Sequence, residues 1–467
     1  MEISRRRFIR QAACAALGTS SIASTVWNLR AINAATAQAI SAMASGPEFR
    51  SLVCLFLYGG NDANNMIVPI DNTTYGVYAN ARGPLALAQS SLLPLNLVTP
   101  DPQGRSFGLH PNMPELQSLF NTDRKLAVMA NVGTLVEPTT AAQFLNGTAK
   151  LPTQLFSHAD QQVEWQTGWA DGPRTSGWGG RLADLLTSFN NADTISMSIS
   201  LNGSNTFQVG NQVSEYQVST QGPIGLSGFG GTDGAIRYQA VQDLLNLPHQ
   251  HLFESEFAKI TNRAITNNGL LTSALSGVTL NTPFPANSDL SDQLKMIAKI
   301  IAVRDALGMR RQIFFCSVTG YDTHSNELTT QNNLLTELSQ CMNAFYQATK
   351  ELGISDRVTL FTASDFSRTF QSNGGGSDHA WGSHALILGD SVKGGDIYGA
   401  YPTIAIGGPE DVGEGRWVPT TSVDEYSATL AKWYGVSSPT DLATVLPNID
   451  RFSNPDVGFM NQLPPPT

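Results

Sequence analysis

The sequence predicts an α/β fold with a largely parallel central sheet, and three observations carry that prediction. Short apolar runs rich in β-branched and aromatic residues alternate with helical stretches over most of the 467 residues, the pattern of strands joined by helical crossovers. Three of these runs, beginning near Leu52, Ile313 and Val358, pass directly into carboxylates and imidazoles. Open sheets of this class place their ligand sites at such strand ends. The composition fits a large, loop-rich globular protein: charged residues make up 14% and hydrophobic residues 41%, with 42 Gly and 24 Pro.

Residues 1–45 are expected to be a twin-arginine signal peptide and spacer rather than fold. Ser4-Arg5-Arg6-Arg7-Phe8-Ile9-Arg10 fits the twin-arginine export pattern, and a small, weakly apolar stretch with A-x-A-like sites follows it. The twin-arginine translocase is therefore an expected partner, and the periplasm or the cell exterior the expected location. Removing these residues takes Lys+Arg from 28 to 23 and Asp+Glu from 38 to 37, so the net charge moves from −10 to about −14. So acidic a chain argues against nucleic acid or an anionic membrane as the main partner. No later apolar run reaches the roughly 18 residues of a transmembrane helix. Cys14 leaves with the signal, and Cys54, Cys316 and Cys341 sit in apolar patterns that read as buried thiols.

Residues 46–467 are expected to form a single α/β domain. A strand over about 51–58 ends in Tyr58-Gly59-Gly60-Asn61-Asp62, and helix is expected over 72–82 and from Pro114. A buried strand follows at 125–133. Ser157 stands before His158-Ala159-Asp160, where it would cap a helix and lie at the positive end of its dipole. That position also suits a nucleophile attacking an anionic ester. A helix opens after the glycines at 177–180, and 194–201 alternates like a strand. Residues 202–285 read as a polar insertion with helices near 235–245 and 251–267. Beyond it come a helix at 290–309, a strand at 313–318, a helix at 328–352, strands at 358–362 and 385–388, and a helix at 423–434.

Seven histidines are present. His249 and His251 lie in the polar insertion as solvated residues, and His110 precedes a proline as a structural hydrogen-bonding group. His158, His324, His379 and His384 stand beside acids or hydroxyls. With Asp62, Asp322, Asp365 and Asp378 they make a mixed set that suits zinc, manganese or a related divalent ion, assembled in space because no local metal motif is present. A redox protein is the least supported class, since CxxC, haem and dinucleotide motifs are all missing from the sequence.

The twin-arginine segment, LFLYGGNDANN, SHADQQVEW, GYDTHSN, TASDFSRT and GGSDHAWGSHALILG, in that order, resemble the exported bacterial family catalogued as domain of unknown function 1501. The resemblance covers nearly all of the chain after the signal, and the family more distantly resembles the alkaline phosphatase/sulfatase superfamily. It implies an alkaline-phosphatase-like three-layer sandwich and a metal-dependent hydrolase-like protein acting on a small anionic phosphate or sulfate ester. By this resemblance Asp62 is the metal-binding acid of the first strand and Ser157 the nucleophile. Asp322 and His324 are an acid and histidine on one metal, Asp365 ends the next strand, and His379 is the last metal histidine. Phe366 stands where the superfamily has a histidine, and the Asp322-x-His324 spacing is shorter than usual. Asp378 with His379 is the alternative pair, with His384 then the last ligand. In the expected mechanism Ser157 attacks in line and Arg368 binds the anionic oxygens. The alternative function is a non-catalytic exported binding or surface-assembly protein that retains the fold.

Overall fold

The computed structural model describes residues 48–190, 195–229 and 231–461, so the twin-arginine segment lies outside the described residues. The chain divides into two units, and everything below concerns the unit Phe49–Leu463.

Strand β1 (Arg50–Leu57) is buried from Ser51 onward, as a continuous apolar run covered on both sheet faces should be. β2 (Ile67–Pro69), β3 (Leu93–Pro94) and β4 (Phe107–Leu109) form a small antiparallel sheet of their own. β5 (Leu126–Gly133), β6 (Ser198–Ser200), β7 (Tyr216–Ser219), β8 (Gly222–Pro223), β9 (Arg311–Val318), β10 (Val358–Ser364), β11 (Ser383–Leu388), β12 (Ile397–Tyr398) and β13 (Thr421–Ser422) complete the main sheet. Its order is β12-β5-β11-β10-β1-β9-β6-β7-β8, with β13 also on β5. The run β10-β1-β9-β6-β7 is parallel throughout, while β11 lies antiparallel between β10 and β5.

Helices cover both faces. Asp289–Ala302 packs on β9 and on Glu327–Glu351, which in turn packs on Pro114–Asn121. A second group joins His158–Thr167, Trp178–Leu186, Val423–Tyr434 and Pro439–Val445. The three-layer α/β sandwich with a largely parallel sheet is therefore the observed architecture. The first helix after the insertion ends at Ala302 rather than 309, because residues 303–308 fold into turns closed by Gly308 at φ +62°. The second insertion helix, Leu252–Leu275, runs past the expected stop at 267 because buried Asn267 and Leu271 hold its last turns down. Cys54, Cys316 and Cys341 are buried free thiols, as expected.

Register decides where chemistry can happen. Leu57 of β1 aligns with Val318 of β9 on one side and Ser364 of β10 on the other. The polar segments that follow these three strands therefore leave the sheet side by side at one edge.

Candidate functional site

The three strand exits are packed so tightly that glycine is required between them. Gly59 sits at φ +117°, and a Cβ there would stand 2.4 Å from the Asp322 amide nitrogen. Gly376 lets the glycine-rich loop close on the β9 exit, since a Cβ would lie 2.2 Å from the Thr323 carbonyl. A short antiparallel bridge pairs Arg368 with His379, with Thr369 N donating to Asp378 O at 2.8 Å and Ala380 N to Ser367 O at 2.9 Å. These contacts bring Asp322, His324 and His379 together from segments more than fifty residues apart. The helix His158–Thr167 delivers a fourth group, His158, in its first turn.

Ligand-type atoms of His158, Asp322 and His379 all lie within 4.8 Å of one another. Asp322 Oδ1 is 3.5 Å from His158 Nε2, 3.4 Å from His379 Nε2 and 3.1 Å from His324 Nε2, and the last two nitrogens are 3.1 Å apart. The opposite ring nitrogens fix the tautomers. His158 Nδ1 meets Asp365 Oδ2 at 2.6 Å, His324 Nδ1 meets Asp378 Oδ1 at 2.9 Å, and His379 Nδ1 meets the Phe156 carbonyl at 2.8 Å. Carbonyl and carboxylate oxygens accept, so each Nδ1 donates and each Nε2 is turned inward. The His158 Nε2 is buried without a hydrogen-bond partner. Lone pairs so close repel unless a proton or a cation lies among them. Donors held by one tetrahedral ion at 2.0–2.1 Å would stand about 3.3 Å apart, close to the 3.4 and 3.5 Å that separate Asp322 from His379 and His158. The residues present therefore fit a divalent ion, and Phe156 is held at a strained φ of +74° beside them.

Electrostatics agree. Burial alone would raise the Asp322 carboxyl, but the hydrogen bond and charge of Arg368, with His324 and His158 nearby, hold it below its ordinary value. The hydrogen bond to Asp365 raises His158, whereas burial lowers His379. One helical turn beyond Asp160, burial pushes Glu164 up from 4.5 to about 8, opposed by Arg174 at 3.6 Å. Because its folded pKa is the higher one, its stabilising contribution is complete below about pH 4.5 and is lost as the pH rises to about 8. Glu164→Gln is expected to gain stability over the native chain progressively between pH 5 and 8, by on the order of a few kcal/mol, read from the thermal midpoint. An equal difference at both pH values would remove that account.

Several expected roles change. Asp62 does not join the cluster: buried Arg82 pairs with its carboxylate, Asn64 N donates to it at 3.1 Å, and Glu327 shares the same guanidinium at 3.0 Å. The reason is local, since Asp62 caps the short helix Ala63–Met66 and turns inward. Arg368 is not available to a substrate. Its side chain is wholly buried, with Nη1 donating to Asp322 at 2.7 Å and to the Gly59 carbonyl at 3.1 Å, and Nη2 donating to the Ser377 carbonyl. Asp365 is turned away from the cluster: it faces His158 Nδ1 at 2.6 Å, and Gln162 Nε2 donates to it at 2.8 Å. His384 lies apart, stacked on Tyr401 and accepting from Asn131 N at 3.0 Å. Ser157 precedes the helix as anticipated, but its hydroxyl donates to Asp160 at 2.7 Å instead of capping a backbone amide. His158 belongs to the mixed set of acids and histidines weighed from the sequence, but the ligand set that the resemblance implies leaves it out.

The cluster opens onto a cavity of about 350 Å³ lined by Phe156, His324, Asp378, His379, Val412 and Arg416. The Arg416 guanidinium lies over the Phe156 ring at 5.6 Å and donates to the His379 carbonyl at 2.8 Å.

A family model described as a protein of unknown function (DUF1501) matches residues 49–414. The chain belongs to the DUF1501 family. The DUF1501 match runs from the start of β1 to the loop before Arg416 and includes His158, Asp322, His324 and His379. No curated protein matches this DUF1501 chain. Among solved structures it is similar to the PsFucS1 sulfatase from Pseudoalteromonas sp., at 10% identity and a TM-score of 0.34, covering 88% of this chain and 72% of that one. A protein in the alkaline phosphatase superfamily from Vibrio parahaemolyticus is similar at 14% identity and 0.33, covering 86% and 70%. The phosphonate monoester hydrolase of Agrobacterium radiobacter is similar at 10% and 0.32, covering 84% and 74%. Among the described residues no helix is long and apolar enough to cross a membrane.

Proposed function

We propose that this DUF1501 chain holds one divalent ion on His158, Asp322, His324 and His379 and hydrolyses a phosphate or sulfate ester there. The observation that carries the reading is the convergence of three Nε2 atoms on one carboxylate. Imidazole and carboxylate together suit zinc or manganese. The ring of Phe366 lies 4.8 Å from His158 and 4.7 Å from His379, filling the flank where a further ligand would stand, so a single ion is proposed.

When bound, such an ion polarises the ester and lowers the pKa of the attacking group. The rest of the work falls to side chains. Ser157, set between Phe156 and His158, is the proposed nucleophile: its Oγ passes its proton to Asp160 and forms the bond to phosphorus or sulfur as the bond to the leaving oxygen breaks. That proton leaves with the alcohol, and water then cleaves the seryl ester to restore the hydroxyl and release phosphate or sulfate. Asp160 accepts the Ser157 hydrogen bond, and that bond together with Arg174 keeps its carboxyl below its ordinary value, so it is ionised at neutral pH and orients the hydroxyl. Arg416 replaces Arg368 as the cation for the ester oxygens, because it lines the cavity while Arg368 is buried.

The test is turnover of aryl phosphate and aryl sulfate esters by the purified, metal-loaded protein. Ser157→Ala is expected to keep one metal per chain and lose at least about 10³-fold in kcat. Undiminished turnover would reject Ser157 as the nucleophile, and a metal-bound native protein without turnover would favour the binding-protein alternative.

A further inference from the structure

Granted the ester site above, we propose that Glu414 is a specificity-determining residue. By holding Arg416 it makes the site prefer singly charged esters, a sulfate monoester or a phosphate diester, over a doubly charged phosphate monoester. Arg416 is the one arginine or lysine lining the cavity, and Asp378 lines it too. The guanidinium is largely committed. Its Nη1 pairs with Glu414 Oε2 at 2.7 Å and donates to the Gly413 carbonyl at 3.3 Å, while Nε donates to the His379 carbonyl. Among the described residues only Nη2 is left, so an ester oxygen meets one donor group rather than a two-pronged fork.

The neighbouring arginines are neutralised in the same way. Arg368 lies on Asp322, Arg174 on Asp160, and Arg82 on Asp62 and Glu327. Asp378 meets His324 and Asn373 but no arginine, and adds a negative charge at the cavity wall. Little positive charge is therefore offered beyond that of the ion, which suits one negative charge on the ester better than two. The pair is held by a built loop. Asp411 and Trp417 bridge antiparallel at its base, and Asp411 accepts the Gly413 and Gly415 amides, both at 2.8 Å. Gly415 has φ +74°, and a Cβ there would stand 2.1 Å from that of Phe370, so the tip is pressed against the chain that follows Arg368. Gln371 N donates to the Glu414 carbonyl at 3.0 Å, fixing Glu414 beside Arg416.

Calorimetry on the zinc-loaded full chain at mildly alkaline pH tests this with two probes, phenylphosphonate, doubly charged, and its monomethyl ester, singly charged and otherwise alike. The native protein is expected to bind the monomethyl ester at least about tenfold more tightly. Glu414→Gln should narrow that ratio about three- to tenfold and Glu414→Lys should narrow it further, both effects shrinking as salt is raised. The Glu414 side chain is 57% exposed, so neither change disturbs the core. A ratio unchanged along the series, or a native protein that prefers phenylphosphonate, overturns the proposal alone. A chain that takes up no zinc, or a loaded chain that binds neither probe, overturns it together with the ester-site reading. Of aryl sulfate and aryl methyl phosphate, the one whose hydrolysis the native protein accelerates more over the uncatalysed rate identifies which singly charged class is the substrate.

Discussion

Asp322→Ala is expected to abolish metal binding, with zinc or manganese measured by elemental analysis falling from about one per chain to near zero and ester turnover falling with it. The carboxylate is the common neighbour of all three Nε2 atoms, so its removal leaves the imidazoles facing one another with no anion to offset a cation's charge. His158→Ala should do the same, because it deletes a donor that is buried without another partner. Asp365→Asn is the informative contrast. It keeps the shape but weakens the acceptor for His158 Nδ1, and a change of this kind costs about 10–100-fold in metal affinity rather than all of it. If Asp322→Ala held metal as tightly as the native chain, the assignment of the centre would fail.

The second large effect is on stability. Arg82→Met is expected to cost about 3–5 kcal/mol at pH 7, read as a fall in the thermal or denaturant midpoint, because it strands two carboxylates that are almost wholly buried. Burial and the charge of Asp62 already raise Glu327, and Arg82 opposes that rise. The damage should reach the candidate site. Ser377 donates its hydroxyl to Glu327 and offers its carbonyl to Arg368, which holds Asp322, so the two networks share one residue. Adding Glu327→Gln to Arg82→Met removes one buried charge and should recover part of the loss. A cost below about 1 kcal/mol would show that water reaches the pair.

Strand and helix positions were largely legible because they are local properties. The run at 52–57 is apolar without interruption, and the helix expected over 72–82 is observed as Asn72–Arg82, with Asp71 capping its start and Gly83 following its end. Boundaries slipped where distant contacts decide them, as at Asn267 and Leu271 in the longer insertion helix. The site was legible as a region, since acids and imidazoles gather at the ends of β1, β9 and β10. Roles within it were less so. Whether an acid at a strand end faces a cation or an arginine depends on groups far away in sequence, and Arg82, twenty residues on, takes Asp62 out of the cluster.

From its own residues and motifs the chain determines the alternation of strand and helix, the family, and the set of acids and imidazoles from which a metal centre could be drawn. Only the tertiary structure decides which of them converge, which nitrogen of each histidine faces inward, and which arginine is buried and which meets the cavity. Those choices rest on distance and desolvation. A hydrogen bond to Phe156, Asp365 or Asp378 sets each tautomer, and burial of Arg368 turns an apparent anion-binding fork into the brace for Asp322.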